Sequence, residues 1–515
     1  MASAPASSHY EGAPFTDVTH LRGSGILLGG RVFAILSSGL VLVLLVRHLT
    51  RADFGRFAIA LALAEVVHRL VSAGHGQCSS RFLALYDERK DRRRFSGTLL
   101  LISGAIIVAS SGIMALGLVF RRDLGSVLAH GDSLAMTLAL ILVFYGASQA
   151  LDDLLGNAFA VCSRPAAIFW RRYIIGPLIR LIVVIGVLVM SGGVIGLATG
   201  FLVTGVAGTV FYAWLLIIAM RQRGLLANLK WRSIRLPVHD LVRFSIPLMS
   251  AEVYNLALNS AGIVLLGAVA GPGEVAGLRA VLPLAVLNLM IIYTFTTMYS
   301  PLASRLASKG DSLQANDTYW RTGAWLVVLS FPVLALTVPL ARPVTVGLLG
   351  HQYASSASVL AVLSVGYFAN AAFGLNVATL IAFGRVRYLL WVNLGCASIS
   401  VLLFLALVPR FGSLGVATGS TATVLLQNAL AQWGMHRHVG VAATNRSHAG
   451  ALLSVALAAA ALWALELLIR PNLLVSLLLT AVSTLILLAL NRNRVHLGSS
   501  FPELRRIPFV GAVIR

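Results

Sequence analysis

The chain has 515 residues, of which 58% are hydrophobic and 11% charged, with a mean hydropathy of +0.87. No soluble domain of ordinary composition reaches such values, so the chain is polytopic in a membrane. Its formal net charge of +22 follows alternate loops rather than one face, which speaks against nucleic-acid binding and for the positive-inside asymmetry of membrane proteins.

Residues 1–24 carry Glu11 and Asp17 among small and polar residues, with no basic stretch leading into a short apolar core and a cleavage site. A disordered cytoplasmic tail is expected there rather than a removed signal peptide. Apolar runs of roughly 20 residues then predict spans near 25–46, 57–74, 98–120, 133–152, 173–190, 194–219, 245–270, 278–300, 321–340, 354–383, 388–408, 413–435, 449–469 and 472–490. Runs of alternating residues are missing, and a chain in hydrocarbon closes its backbone hydrogen bonds only within helices or a closed barrel. The expected fold is all-α integral membrane, with about 14 transmembrane helices.

Two strings, Gly196-Leu197-Ala198-Thr199-Gly200 and Gly415-Val416-Ala417-Thr418-Gly419, reveal an internal repeat offset by roughly 220 residues. Around it Ser163-Arg164-Pro165 answers to Gly384-Arg385-Val386, and the loop closing on Phe54-Gly55 answers to that closing on Ala276-Gly277. One six-helix unit is therefore used twice. The expected division is an N-terminal lobe over 25–224, a basic cytoplasmic linker over 225–244, a C-terminal lobe over 245–440, two appended helices within 441–490 and a basic cytoplasmic tail over 491–515. An even number of spans gives both copies the same orientation about an axis along the membrane normal, with a cavity at their seam.

With both termini in the cytoplasm, roughly 28 Lys/Arg fall inside and roughly 9 outside. The richest inner runs, Arg89 to Arg94 and Arg221 to Arg243, rest against anionic membrane lipid. One outer loop breaks the pattern: Arg47, Arg51 and Arg56 lie where positive charge should be scarce. Cys78, Cys162 and Cys396 form no close pair and have no His at ligand spacing, so no disulfide framework, metal or other cofactor is expected. Outer connections such as Ser191-Gly192-Gly193 are short, which leaves no external domain to house a catalytic site.

The stretch Arg47-His48-Leu49-Thr50-Arg51-Ala52-Asp53-Phe54-Gly55-Arg56-Phe57 resembles the first outer loop of bacterial polysaccharide and oligosaccharide flippases, with its Arg-x-Leu and its aromatic-Gly entering the second span. Gly271-Pro272-Gly273-Glu274-Val275-Ala276-Gly277 through Ser300-Pro301-Leu302-Ala303-Ser304-Arg305-Leu306 is similar to the same family's seventh-to-eighth span hairpin. The resemblance extends over nearly the whole chain. It implies membership in the multidrug/oligosaccharidyl-lipid/polysaccharide exporter superfamily, two six-helix lobes, a V-shaped cleft and alternating access. It also implies export of a polyprenyl-diphosphate oligosaccharide for exopolysaccharide, O-antigen or capsule, in a bacterial inner membrane, alongside glycan assembly proteins. Two departures qualify it: Arg279 stands where the family more often has an aromatic, and Arg31 stands alone where lipid II flippases have an arginine-rich first span. The absence of that arginine-rich signature favours a glycan other than a peptidoglycan precursor.

A diphosphate between a prenyl tail and a hydrated sugar needs a wet, cationic cleft to cross hydrocarbon. Arginine meets phosphate oxygens bidentately and stays charged. Within this reading Arg31, Arg69, Arg279 and Arg180 are the candidate phosphate ligands, although Arg31 can instead snorkel, Arg279 can anchor at the interface and Arg180 can tie helices together. Glu65, His68 and Arg69 share one helical face. Glu65 and Arg69 either neutralise each other or form a switch in which Glu65 takes H⁺ or Na⁺ and releases Arg69. Glu252 is a second coupling candidate, on a polar stripe with Asn255 and Asn259. Asn288, Asn370 and Asn376 either line the cavity and meet sugar hydroxyls or bond between helices. Other classes compatible with the chain are a multidrug or toxin extruder, for which two appended helices are unusual, and a membrane glycan polymerase or glycosyltransferase, which needs acid–base residues in a sizeable outer loop.

Overall fold

The computed structural model describes residues 18–72, 75–120, 132–162, 169–225 and 234–495. Among them nearly every residue is helical and none forms a strand, as a chain without backbone partners in lipid requires. The first half runs α1 (Val18–His48), α2 (Arg51–Ser72), α3 (His75–Glu88), α4 (Arg92–Val119), α5 (Ser133–Cys162), a π-helical turn (Trp170–Ile175) leading into α6 (Gly176–Val189), and α7 (Gly193–Gln222). The second half runs α8 (Val238–Leu256), a π-helical turn (Ala257–Ala261), α9 (Gly262–Ala270), α10 (Pro272–Val286), α11 (Asn288–Lys309) and α12 (Ser312–Leu329). It continues through α13 (Phe331–Thr337), α14 (Ala341–Leu349), α15 (Ala357–Phe373), α16 (Leu375–Ala382) and α17 (Val386–Val439). The appended helices are α18 (Arg446–Ile469) and α19 (Leu473–Val495).

Among the described residues eight helices are long and apolar enough to cross a membrane, or ten if the bent pairs α10–α11 (40°) and α12–α13 (43°) each form one span. The expectation of about fourteen exceeds this for identifiable reasons. α2 carries Arg51, Asp53, Arg56, Glu65 and Arg69 within 22 residues, and the stretches Phe33–His48 and Tyr173–Val189 of α1 and α6 begin where side chains before them lie outside the described residues. α17 joins two predicted segments in 54 residues, a length that would extend about 80 Å if straight. Gly412 breaks it at φ 54° and ψ −130°, and a Cβ on Gly415 would lie 2.5 Å from the Leu407 carbonyl oxygen. The chain therefore doubles back at Gly412, between the predicted ends 408 and 413. Proline explains the bends: Pro283 sits inside α10 and Pro332 opens α13, each removing a backbone donor.

Two boundaries move. α1 starts at Val18, inside the stretch expected to be a tail, and α19 runs to Val495, past the expected end at 490. Residues 1–17, the linker centre 226–233, the tail from 496 and the Ser163-Arg164-Pro165 motif lie outside the described residues.

The largest apolar core crosses from one half to the other, joining Phe54, Phe57, Leu138 and Leu197 to Ile263, Leu266, Val275 and Val281. α2 packs on α5 within the first half and on α10 across the seam. Gly55 makes that approach possible, since a Cβ there would lie 1.9 Å from the Pro272 carbonyl oxygen. At the opposite, linker end, α8 begins on the first half, with Leu241 among Val67, Val71 and Cys78 and Phe244 edge-on to Phe82. Farther along, α8 packs on α17 of the second half. α18 docks on the second half through His448, which sits against Trp320 and Phe373 with Nε2 3.3 Å from the Ala372 carbonyl oxygen.

Candidate functional site

α2 buries its small and branched side chains, including Ala60, Ala64, Val67 and Val71, and this leaves Glu65 and Arg69 one turn apart toward the seam. Arg69 donates to one Glu65 oxygen from Nη2 (3.0 Å) and Nε (3.3 Å), the i, i+4 pair expected of a helix. The pair is not closed. Arg69 Nη1 also reaches Glu252 on α8 at 3.4 Å, and the second Glu65 oxygen lies 3.7 Å from Arg279 Nη2 on α10. Four side chains from three helices thus alternate in sign across the seam, in the order Glu252, Arg69, Glu65, Arg279, with zero net charge.

Glu65 lies fourteen residues beyond the start of α2, about 20 Å along the helix, so the chain of charges is deep in the bundle. Bare charges at such depth are costly, and mutual pairing offsets that cost. The pairing is not sealed off, because the four side chains keep between 22% (Arg279) and 41% (Glu252) of their surface accessible. Arg279, in the first turns of α10, therefore reaches across the seam toward Glu65. Two aromatics that sequence reasoning missed adjoin the network: buried Tyr367 stands close enough to Arg279 and Glu65 to feel both charges, and largely exposed Tyr293 close enough to Arg69. No local pattern marks either one.

The other expected residues separate into two groups. Asn255 and Asn259 are half-buried on α8 and its π-helical turn, with Asn259 Nδ2 donating to the Asn255 carbonyl oxygen (3.0 Å). The side chain of Arg31 lies outside the described residues, although its backbone belongs to α1. Asn288 and Asn376 do not line open space: both are fully buried. Asn288 donates to the Ala285 carbonyl oxygen (3.0 Å) and to Thr337 (3.3 Å). Asn376 donates to the backbone (3.2 Å) and side-chain (3.4 Å) oxygens of Asn428. Asn370 accepts from Asn428 Nδ2 at 3.4 Å. Asn288 and Asn376 are cross-links within the second half, because a buried amide must spend its donors on neighbours, and half-buried Asn370 joins them as an acceptor. Arg180 is likewise engaged within the first half, donating to Tyr145 Oη (3.0 Å) and lying 5.6 Å over the Phe201 ring. On the neighbouring face, His68 meets Asp153 at 3.1 Å, and Arg171 pairs with Asp152 while lying 4.0 Å over Tyr212. Among the described residues no three His, Cys, Asp or Glu side chains converge as metal ligands.

The α1–α2 end of the seam is closed by different chemistry. Arg47 donates to the carbonyl oxygens of Gly347 (2.9 Å) and Leu348 (3.2 Å), and Arg51 to that of Gly273 (3.0 Å). Arg56 stays within the first half, bonded to Asp132 (2.6 Å) and Asp53 (2.8 Å). Burial alone would push the Asp132 carboxyl up, but Arg56 and the Leu134 and Ala135 amides hold it below the usual carboxylate range.

The class defined here is a helical membrane bundle in two halves with a charged seam, and solved structures share its fold. The chain is similar to a lipid II flippase, MurJ, in its inward closed conformation, with a TM-score of 0.68 at 13% identity, covering 91% of this chain and 98% of that one. It is also similar to an inward-facing multidrug resistance MATE family transporter of the MOP superfamily, with a TM-score of 0.57 at 13% identity over 85% and 94% of the two chains. A eukaryotic MATE transporter, AtDTX14, gives 0.56 at 18% identity over 84% and 99%. The chain belongs to the polysaccharide biosynthesis protein family, whose profile matches residues 20–307. No curated protein matches it.

Proposed function

We propose that this protein is a flippase, not an enzyme, which moves a polyprenyl-diphosphate oligosaccharide from the inner to the outer leaflet of a bacterial inner membrane by alternating access. Both termini are cytoplasmic in this reading, and the product feeds exopolysaccharide, O-antigen or capsule synthesis. The observation that carries it is the alternating chain Glu252, Arg69, Glu65, Arg279 across the seam. Family membership and the shared transporter fold support it.

In the resting chain two carboxylates neutralise two guanidiniums, which keeps the seam tolerable inside hydrocarbon. A diphosphate entering from the linker end competes for the same donors with two to three negative charges and a geometry that suits the guanidinium fork. Binding then displaces Glu65 and Glu252 from Arg69 and Arg279. The freed carboxylates take H⁺ or Na⁺, so that the seam stays near neutral with the substrate inside, and Arg31 on α1 adds a third donor. Asn255 and Asn259 offer amides to the sugar, while the prenyl tail stays in lipid. Release outside lets the carboxylates recapture the arginines, and this recapture resets the site.

The reading is tested by complementation of a strain lacking its surface-polysaccharide flippase. Arg279→Ala and Arg31→Ala are expected to abolish surface glycan, and Glu65→Gln to impair it strongly, with expression unchanged. Full activity in all three variants removes the site assignment.

A further inference from the structure

Arg47, in the last turn of α1, and Arg51, at the start of α2, lie where the positive-inside asymmetry disfavours them. Arg56 is matched locally by Asp53 and Asp132, whereas the donors of Arg47 and Arg51 go to the other half of the molecule. Gly347 and Leu348, which accept from Arg47, belong to the last turn of α14, where carbonyls lack intrahelical partners and the helix dipole is negative. Arg51 donates from Nε to Gly273 (3.0 Å) and from Nη1 to the Gln352 carbonyl oxygen (3.5 Å), with Nη2 3.8 Å from Glu274. Gln352 returns a bond from Nε2 to the Val46 carbonyl oxygen (3.1 Å). Glu274 in turn accepts from Ser413 Oγ (2.6 Å) and N (3.1 Å) at the reversal in α17.

The internal repeat gives this cluster a further meaning. Arg51 and Gly273 are 222 residues apart, the same offset that pairs Gly55 with Gly277, so they are equivalent positions of the two copies. Equivalent positions of two copies related by an axis touch only where the axis passes between them. The contact therefore marks the axis at the α1–α2 end, and any motion that opens this end separates its members. The chemistry suits repeated separation: bonds from guanidinium to neutral carbonyls at an accessible rim exchange for water at modest cost, whereas a buried ion pair broken there would strand charge.

We propose that Arg47, Arg51 and Gln352 form a reversible latch that holds the outer end of the seam shut and releases on each outward opening. The proposal rests on the alternating-access reading above. It is tested on the full-length protein in lipid nanodiscs by electron–electron double resonance between spin labels at Ser133→Cys and Ser355→Cys, exposed positions on opposite halves at this end. The native cysteines Cys78, Cys162 and Cys396 are buried. A second label pair, Glu88→Cys and Ser308→Cys, reports the linker end. Arg47→Ala combined with Arg51→Ala is expected to raise the ratio of long to short outer distances about tenfold, and Gln352→Ala to raise it less. Arg56→Gln is expected to leave it unchanged. An outer distribution that stays put in both the double variant and Gln352→Ala overturns the latch, as does an equal response to Arg56→Gln. If the outer end opens without the linker end closing, the latch stands and the alternating-access reading fails.

Discussion

The two halves meet in two ways, and arginine serves both. At the α1–α2 end they touch through backbone approach, Gly55 on Pro272, and mainly through guanidiniums on neutral carbonyls, with Glu274 at the longer distance of 3.8 Å from Arg51. Deeper in the seam they meet through guanidiniums on carboxylates. A carbonyl cannot titrate, so contacts of the first kind respond only to motion. A carboxylate can take a proton or be displaced by another anion, so contacts of the second kind respond to chemistry as well. Under the proposed function, mechanical closure belongs to one region and ligand and ion response to the other.

The sharpest way to break that assignment is Arg69→Ala, which strands Glu252 and leaves Glu65 with Arg279 alone. Export measured as surface glycan is expected to fall at least tenfold, with a loss of about 2 kcal/mol in stability, below the full cost for a buried pair because the side chains stay partly accessible; wild-type export would end the assignment. Next is Glu65→Gln with Glu252→Gln, which removes the carboxylate partners and leaves both arginines free. Transport in proteoliposomes is expected to lose its response to an imposed pH or Na⁺ gradient, while a polyprenyl diphosphate binds several-fold more tightly. An unaltered gradient response would move coupling elsewhere.

Gly55→Val probes mechanical closure. Its added carbons collide with the Pro272 backbone, and overpacking of this kind costs about 1–3 kcal/mol against the closed end. Gly104→Val on α4, where a Cβ meets nothing within 4 Å, is the matched control and should leave the outer label distances alone. The smallest effect belongs to Asp132→Asn, because a part-exposed ion pair contributes at most about 1 kcal/mol. Asp132 is held low, so its contribution is present above about pH 4, the ordinary carboxylate value, and is lost as pH falls through the lowered one. Thermal melts in detergent should separate wild type from Asp132→Asn at neutral pH and bring them together in strong acid. A difference that grows on acidification contradicts the pairing.

Much of the architecture is legible in the sequence because helices in lipid are specified locally. Long apolar runs set their positions, and the break between the segments ending at 408 and starting at 413 falls on the reversal at Gly412. The pairing of Glu65 with Arg69 follows from one turn of helix. Asn288, Asn376 and Arg180 show where local reading stops: each is a polar group in a span, and periodicity cannot distinguish a cavity from a neighbouring helix.

By itself, then, the sequence determined the helices, the repeat and the pairing of Glu65 with Arg69. Only the tertiary structure decided that Glu252 and Arg279 complete the pair on α2, and that Arg47 and Arg51 cap carbonyls of the other half. The reason is range. Helix formation is settled within a few turns, whereas these contacts join residues from 183 to 301 positions apart, and it is the packing of one half against the other that brings them together.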